Sequence, residues 1–391
     1  MTSESGDRPS YFQEVAARFT GLELFFDLVF AFCVSQLTRV YRDDPTWPTA
    51  VTALLIFVPV WWAWIGVSFA LDRFPADDII SRFLVIGTAA GTSVMGLAIP
   101  FIPGHGEVPF VLGYAAVRLL IALFYWRARR AAPDHGRLPR FYARGFGAVG
   151  ALWLIAAIVP PLARLIICAA AMALDVAMPW LADRNGRLLP VDRSHLADRC
   201  AAFVIIVIGE SIVDTLALAS EDRFRAAIAA TLAAAGVVSV AFWWGFFDRG
   251  SWQRRYAALG GDRSGQVAAV VAAYLHFPLV AGIAAAAAGV QITLRAPAAA
   301  IGFPAAAAIS LGCCAYLLSM NAMTFVLGVP KPESLSSQRA VLVGVLLIML
   351  ALGSAWRPAA FIGATAAVLV LHATAGQFRS RADQRATRES P

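Results

Sequence analysis

The sequence predicts an all-α polytopic membrane protein of about twelve transmembrane helices, and three observations predict it. Of its 391 residues, 59% are hydrophobic and only 15% charged, against about 25% charged in soluble domains; the mean hydropathy is +0.68. The apolar content falls in runs of roughly 18 to 25 residues, each long enough to cross a hydrocarbon core of about 30 Å as a helix. The basic residues gather between those runs, on alternate sides. Helices satisfy their own backbone hydrogen bonds in lipid, and the alternating ten-residue pattern of a transmembrane barrel is missing.

In chain order the expected spans are 21–40, 48–71, 80–101, 107–126, 141–159, 162–181, 199–219, 226–247, 265–290, 300–327, 338–355 and 357–377. Pro160-Pro161 makes a tight turn between the fifth and sixth, because Pro cannot continue a helix interior. With the N-terminus in the cytoplasm, the cytoplasmic segments carry 24 Lys and Arg and the opposite face seven, leaving Arg118 as the one cation expected inside a span. That asymmetry follows the positive-inside rule and predicts a multi-pass protein of the cell (inner) membrane with both termini cytoplasmic. Miscounting one span would destroy the alternation. The first apolar run follows a polar N-terminus and carries two carboxylates, unlike a cleavable signal peptide.

The chain divides into an N-terminal tail (1–20), a six-helix half (21–181), a linker (182–198), a second six-helix half (199–377) and a C-terminal tail (378–391). A faint repeat supports the two halves. Asp27 precedes Trp61-Trp62 by 34 residues and Glu210 precedes Trp243-Trp244 by 33; Trp61 to Arg82 is 21 residues, Trp243 to Arg263 is 20. Parallel repeats of this kind occur in transporters with a midplane site.

The net charge of +7 sits in loops, which excludes a nucleic-acid surface and points to the lipid bilayer as the partner. Nothing in the sequence sets an oligomeric state. Cys33, Cys168, Cys200, Cys313 and Cys314 have no CxxC spacing, so neither a disulfide framework nor a zinc site is expected. No phosphate loop, GxSxG elbow, HExxH or His cluster occurs, so neither a metal nor a cofactor is expected.

Chemistry is expected at intramembrane carboxylates. Glu23 and Asp27 are four apart in the first span, and Glu210 and Asp214 repeat that spacing in the seventh. Each pair lies on one helix face, about 6 Å apart. A charged carboxylate at mid-bilayer costs at least about 2.5 kcal/mol, so such groups face the bundle interior, take up a proton or find a partner. They suit proton exchange in a carrier, or general acid–base work in an intramembrane enzyme. The plainer role is helix–helix hydrogen bonding, with helix-terminus electrostatics for Glu23. Arg118 neutralises a bundle carboxylate, with Asp27, Glu210 and Asp175 as candidates, or binds an anionic substrate. His276 lies two residues before Pro278, at an irregular polar patch, and suits a proton relay to Glu210 or simple packing. Trp62 and Trp244, within the aromatic groups at 61–64 and 243–247, form an interfacial belt or a wall for a lipophilic or cationic substrate. Asp198 and Arg199 form a gate-type ion pair or mark the membrane surface.

These motifs carry a family resemblance. Glu23-Leu-Phe-Phe-Asp27-Leu-Val-Phe, the Trp pair of the second span, His195 through Arg199 leading to Gly209-Glu210-Ser211, and His276 through Gly282 together resemble the bacterial low temperature requirement protein A family, over about residues 15 to 375. The family commonly has Glu-Arg before the seventh span where this chain has Asp198-Arg199. The family is named after a growth phenotype; the resemblance implies the architecture and the acidic sites, and no substrate. Two readings stay open: a transporter-like protein coupled to protons through Glu210 and Asp27, and an intramembrane enzyme acting on a lipophilic substrate such as an isoprenoid, in the manner of a terpene cyclase.

Overall fold

A computed structural model describes residues 21–74, 78–131, 137–184, 192–220, 226–247, 255–256, 258–260, 263–328 and 332–388. Twelve α-helices run through them: α1 (Gly21–Asp43), α2 (Trp47–Arg73), α3 (Ile79–Ala98), α4 (Glu107–Ala131), α5 (Arg137–Ala157), α6 (Pro161–Arg184), α7 (Arg193–Ser220), α8 (Ala226–Phe247), α9 (Arg263–Leu294), α10 (Phe303–Val326), α11 (Pro332–Leu352) and α12 (Pro358–Arg388). No strand occurs among the described residues. The protein is a polytopic all-α membrane protein, as its composition predicts.

Nine of these helices are long and apolar enough to cross a membrane by themselves. The other three are α5, whose first turns hold Arg137, Arg140 and Arg144, and α11 and α12, which carry shorter apolar stretches at Ser336–Leu352 and Pro358–Thr374. Large apolar side chains such as Leu55, Ile158, Leu165 and Leu352 are exposed on the outer surface, where lipid is their natural solvent.

Local chemistry sets the helix ends. The Thr46 hydroxyl accepts from the Thr49 backbone N–H at the start of α2, and the Asp78 carboxylate accepts from the Ile80 and Ser81 N–H groups at the start of α3. Each satisfies donors that have no intrahelical partner. Pro161 opens α6, where a missing N–H costs nothing. Three boundaries differ most from expectation. Helix α7 begins at Arg193, so His195 and Asp198 lie on the helix and not in a loop; α11 begins at Pro332; and α12 continues to Arg388, past the expected start of a tail. Residues 1–20, Asp248 and linker residues 185–191 lie outside the described residues.

In both halves of the chain the third helix packs on the first and on the fourth: α3 on α1 and α4, α9 on α7 and α10. In both, a glycine pair lets the third and fourth backbones meet. A Cβ on Gly113 would lie 2.7 Å from the Gly91 carbonyl oxygen, and a Cβ on Gly282 would lie 2.4 Å from that of Gly312. The halves join through α1, which packs on α7 and α9, and through α2 on α7.

Gly282→Val forces a side chain against backbone that cannot yield, and should cost about 1–3 kcal/mol, as overpacking does. The measurement is thermal unfolding of the purified protein in detergent. Gly363→Ala, at a position where a Cβ meets nothing within 4 Å, should leave the midpoint unchanged or slightly raised.

Candidate functional site

The inward face of α1 carries Glu23, Phe26, Asp27 and Phe30 at helical spacing, all buried. Facing it, α2 presents Trp61, Trp64 and Ser68 on successive turns. From the other side α7 presents Leu196, Arg199, Phe203 and Val207. The charged members meet. Arg199 Nη2 lies 2.8 Å from Asp27 Oδ1, and the same oxygen accepts from Trp64 Nε1 at 2.8 Å. The Arg199 guanidinium also donates to the Ser68 hydroxyl through Nε and Nη2, at 3.3 and 3.2 Å, and Nη1 lies 3.6 Å from Glu23 Oε1. Trp64 and Phe203 stack with ring centroids 4.5 Å apart. Asp27 and Arg199 are both fully buried, while Asp27 Oδ2 has no hydrogen-bond partner.

His195, one turn earlier on α7, extends the network. Its Nε2 lies 3.4 Å from Glu23 Oε1, and its Nδ1 lies 3.4 Å from Asp72 Oδ1 near the end of α2. Asp72 Oδ2 also accepts from the Asp192 backbone N–H. Asp192 caps α7: its Oδ1 accepts from the Ser194 and His195 N–H groups and the Ser194 hydroxyl. Partial burial pulls the Asp192 carboxyl upward, but the Ser194 hydroxyl and the two N–H groups outweigh it and hold the group below its usual range. Three carboxylates, a guanidinium and an imidazole thus bind α1 and α2 to α7.

The second acidic pair lies elsewhere. Glu210 and Asp214 stand 11 and 15 residues past Arg199 on α7, about 16 and 22 Å along the axis at 1.5 Å per residue. Asp214 Oδ2 accepts from the Ser35 hydroxyl of α1 at 2.5 Å. Glu210 is half-buried and has no hydrogen bond or ion pair among the described residues. The four acids divide into two in the ionic network and two farther along α7, of which Asp214 reaches α1.

Arg118 pairs with Asp175, Nε to Oδ2 at 2.6 Å, both buried. The Tyr114 hydroxyl bridges them, donating to Asp175 and accepting from the guanidinium. Arg118 is not the single cation inside the bundle, contrary to expectation. Arg199 and Arg339 are buried too, Arg339 donating to the Met320 carbonyl and the Thr324 hydroxyl. Sequence counting assigned both to the cytoplasmic side, at the first residues of their spans, because an arginine near a helix end reads alike whether it snorkels outward or bends in. His276 is held to its own helix, Nδ1 within 2.9 Å of the Ala272 carbonyl, with its ring edge-on to Phe246. Trp62 lies against Tyr274 and Phe277, while Trp244 is half-buried on α8. Ser68 and Asp72 escaped the sequence reading; their signal was the four-residue spacing Trp64, Ser68, Asp72 on one face of α2.

Toward the other end of α1 lies a cavity of about 560 Å³, almost wholly apolar in lining. It sits between α1 (Val34 to Tyr41), the first half of α2, and facing parts of α9 and α10, with walls that include Phe57, Phe277, Ala281 and Leu311. None of Glu23, Asp27, Glu210 and Asp214 lines it. At this end Arg295, at the foot of α9, meets Asp43 across the interface, with both side chains about half exposed.

Arg199→Gln leaves Asp27 buried without its countercharge and should cost about 3–5 kcal/mol. The double variant with Asp27→Asn should recover part of that loss in thermal unfolding, because no charge is then orphaned. Asp192→Ala should cost about 1 kcal/mol at neutral pH, as lost caps do. A depressed carboxyl stabilises above its unfolded value of about 3.9, so the gap between variant and wild type should close as pH falls through the lower native value. Unfolding midpoints across pH 2.5 to 7 read it.

Comparison with known proteins matches residues 18–375 to the family model described as bacterial low temperature requirement A protein. A relative is the uncharacterized protein RA0937 of Rhizobium meliloti (strain 1021), 26% identical over 284 residues, which cover 70% of this chain and 69% of that protein. The match takes in all twelve helices but the end of α12, and with them the ionic network, both acidic pairs and the apolar cavity. The chain belongs to the bacterial low temperature requirement A protein family.

Proposed function

We propose that this protein is a proton-linked secondary carrier for a lipophilic small molecule, lying in the cell (inner) membrane with both termini in the cytoplasm. One observation carries the reading. The interface between helices 21–181 and helices 199–377 is closed at one end by the buried ionic network and open at the other into the apolar cavity. A carrier caught with one gate shut and one open has that form. The packing of third on first and third on fourth helix in each half, with a glycine contact in both, supports two six-helix repeats. The 24 to seven distribution of Lys and Arg supports the cytoplasmic side of the ionic end.

In this reading Asp27 is the proton-responsive group. Its Oδ1 is taken by Arg199 and Trp64, and its Oδ2 is the place for a proton. Protonation there removes the charge that holds Arg199, which loosens α7 from α1 and α2. Glu210, one turn before Asp214 on α7 and without a hydrogen-bond partner, passes protons between the network and the open end. The cargo is lipophilic because the cavity wall is built from Phe, Leu, Ala and Gly.

The enzyme reading keeps one observation in its favour, since the same cavity suits an isoprenoid chain. It lacks an acid in the wall, which protonation of an alkene requires.

Glu210→Gln tests the carrier directly, at a position where loss of charge threatens no ion pair. Proteoliposomes of the full chain, given a panel of radiolabelled fatty acids, isoprenoid alcohols and hydrophobic amines, should accumulate at least one unchanged under a pH gradient. The variant should lose that gradient-driven accumulation by about tenfold or more, while still equilibrating the compound. Uptake indifferent to the gradient in wild type, or recovery of a chemically converted product, sinks the proposal; the second outcome favours the enzyme.

A further inference from the structure

Away from the network and the apolar cavity, a small cavity of about 20 Å³ lies among α2, α4, α5, α6 and α9. It is lined by Arg73, Arg118, Tyr142, Trp62, Asp175 and Tyr274, among others. Four of these residues hold buried polar atoms with no hydrogen-bond partner: Arg118 Nη1, Arg73 Nε, Trp62 Nε1 and the Tyr142 hydroxyl. Orphaned buried donors are rare, and four around one cavity are a cluster, not scatter. Arg118 is fully buried, and Tyr142 is 2% exposed.

The chemistry of this set is one-sided. Guanidinium and indole nitrogens can only donate, so three of the four require an acceptor. Two acceptor atoms in the wall are already engaged. Asp175 takes Arg118 Nε and the Tyr114 hydroxyl, and the Tyr125 hydroxyl takes Arg73 Nη1. Two guanidiniums and one carboxylate line the cavity, so its wall carries more positive than negative charge, with Asp72 acting on Arg73 from outside that wall. Asp72, beside Arg73 in sequence, is turned to His195 and the Asp192 N–H. Gly66 belongs to the design as well, since a Cβ there would lie 2.3 Å from Arg118 Nη1.

We infer that this cavity is a binding site for a monatomic anion of the chloride class, held by Arg118, Arg73, Trp62 and Tyr142. A cavity needs roughly 10–15 Å³ to hold one water-sized particle, so this one admits a single small occupant. A water molecule accepts two hydrogen bonds and must place two of its own, and it leaves the excess charge standing. A halide accepts from every side and cancels the charge. Polyatomic anions such as phosphate or sulfate are too large.

The test uses the purified full chain in detergent. Chloride titrated against sodium gluconate at constant ionic strength should raise the thermal unfolding midpoint in a saturable way. Trp62→Phe and Tyr142→Phe each remove one donor and keep the ring. Each should raise the half-saturating chloride concentration by about tenfold, the usual effect of one hydrogen bond to a charged group. Ser310→Ala, which removes a buried unpartnered hydroxyl outside the cavity, should leave the titration unchanged. Crystals grown in bromide should give an anomalous peak beside Arg118. A midpoint indifferent to chloride, a titration unaltered in both ring-conserving variants, or a feature without anomalous signal would each overturn the assignment.

Discussion

Hydrocarbon offers no hydrogen-bond partner, and the buried arginines of this bundle are placed in answer to that constraint. An unpaired charge in lipid costs several kcal/mol, and three buried arginines among the described residues are each turned inward and met by an acceptor. Arg199 is met by Asp27, Arg118 by Asp175 and Tyr114, and Arg339 by a carbonyl and a hydroxyl. The solutions differ in kind. Arg118 joins α4 to α6 within one half of the chain. Arg199 draws together three helices from both halves. Burial makes such a pair costly to break from one side.

Helix α1 is where these demands converge. Along 23 residues it passes from an ionic face, through the Ser35–Asp214 hydrogen bond, to the wall of the apolar cavity. The polarity of the inter-half surface therefore changes along its length. At the ionic end contact is desolvated and geometrically demanding; at the other it is loose, and the exposed Arg295–Asp43 pair adds little. Separation of the halves is accordingly easier at the cavity end.

The architecture was legible in the sequence because it is written in composition and spacing. Apolar runs, arginine-bearing gaps and Pro160-Pro161 mark twelve helices without any tertiary information. The acids were legible for the same reason: Asp27 and Glu210 stand out against an apolar background. Their partners were not. Asp27 and Arg199 are 172 residues apart, and no local periodicity links them. Arg199 looked like a loop cation because it sits near a helix start, although the helix begins six residues earlier. Asp175 was one of three candidates for Arg118, and only packing selects among them. The large cavity left no trace at all, since Ala and Gly in its wall read as ordinary helix filling.

The two glycine contacts carry a mechanical meaning. Where Gly113 meets Gly91 and Gly282 meets Gly312, backbone touches backbone with no side chain between. Side chains can change rotamer and let helices slip; two backbones in direct contact have no such slack. Helices α3 and α4 must travel as one rod, and α9 and α10 as another. Relative motion is left to the seams where side chains intervene, α1 on α7 and α2 on α7, and those seams hold the ionic network.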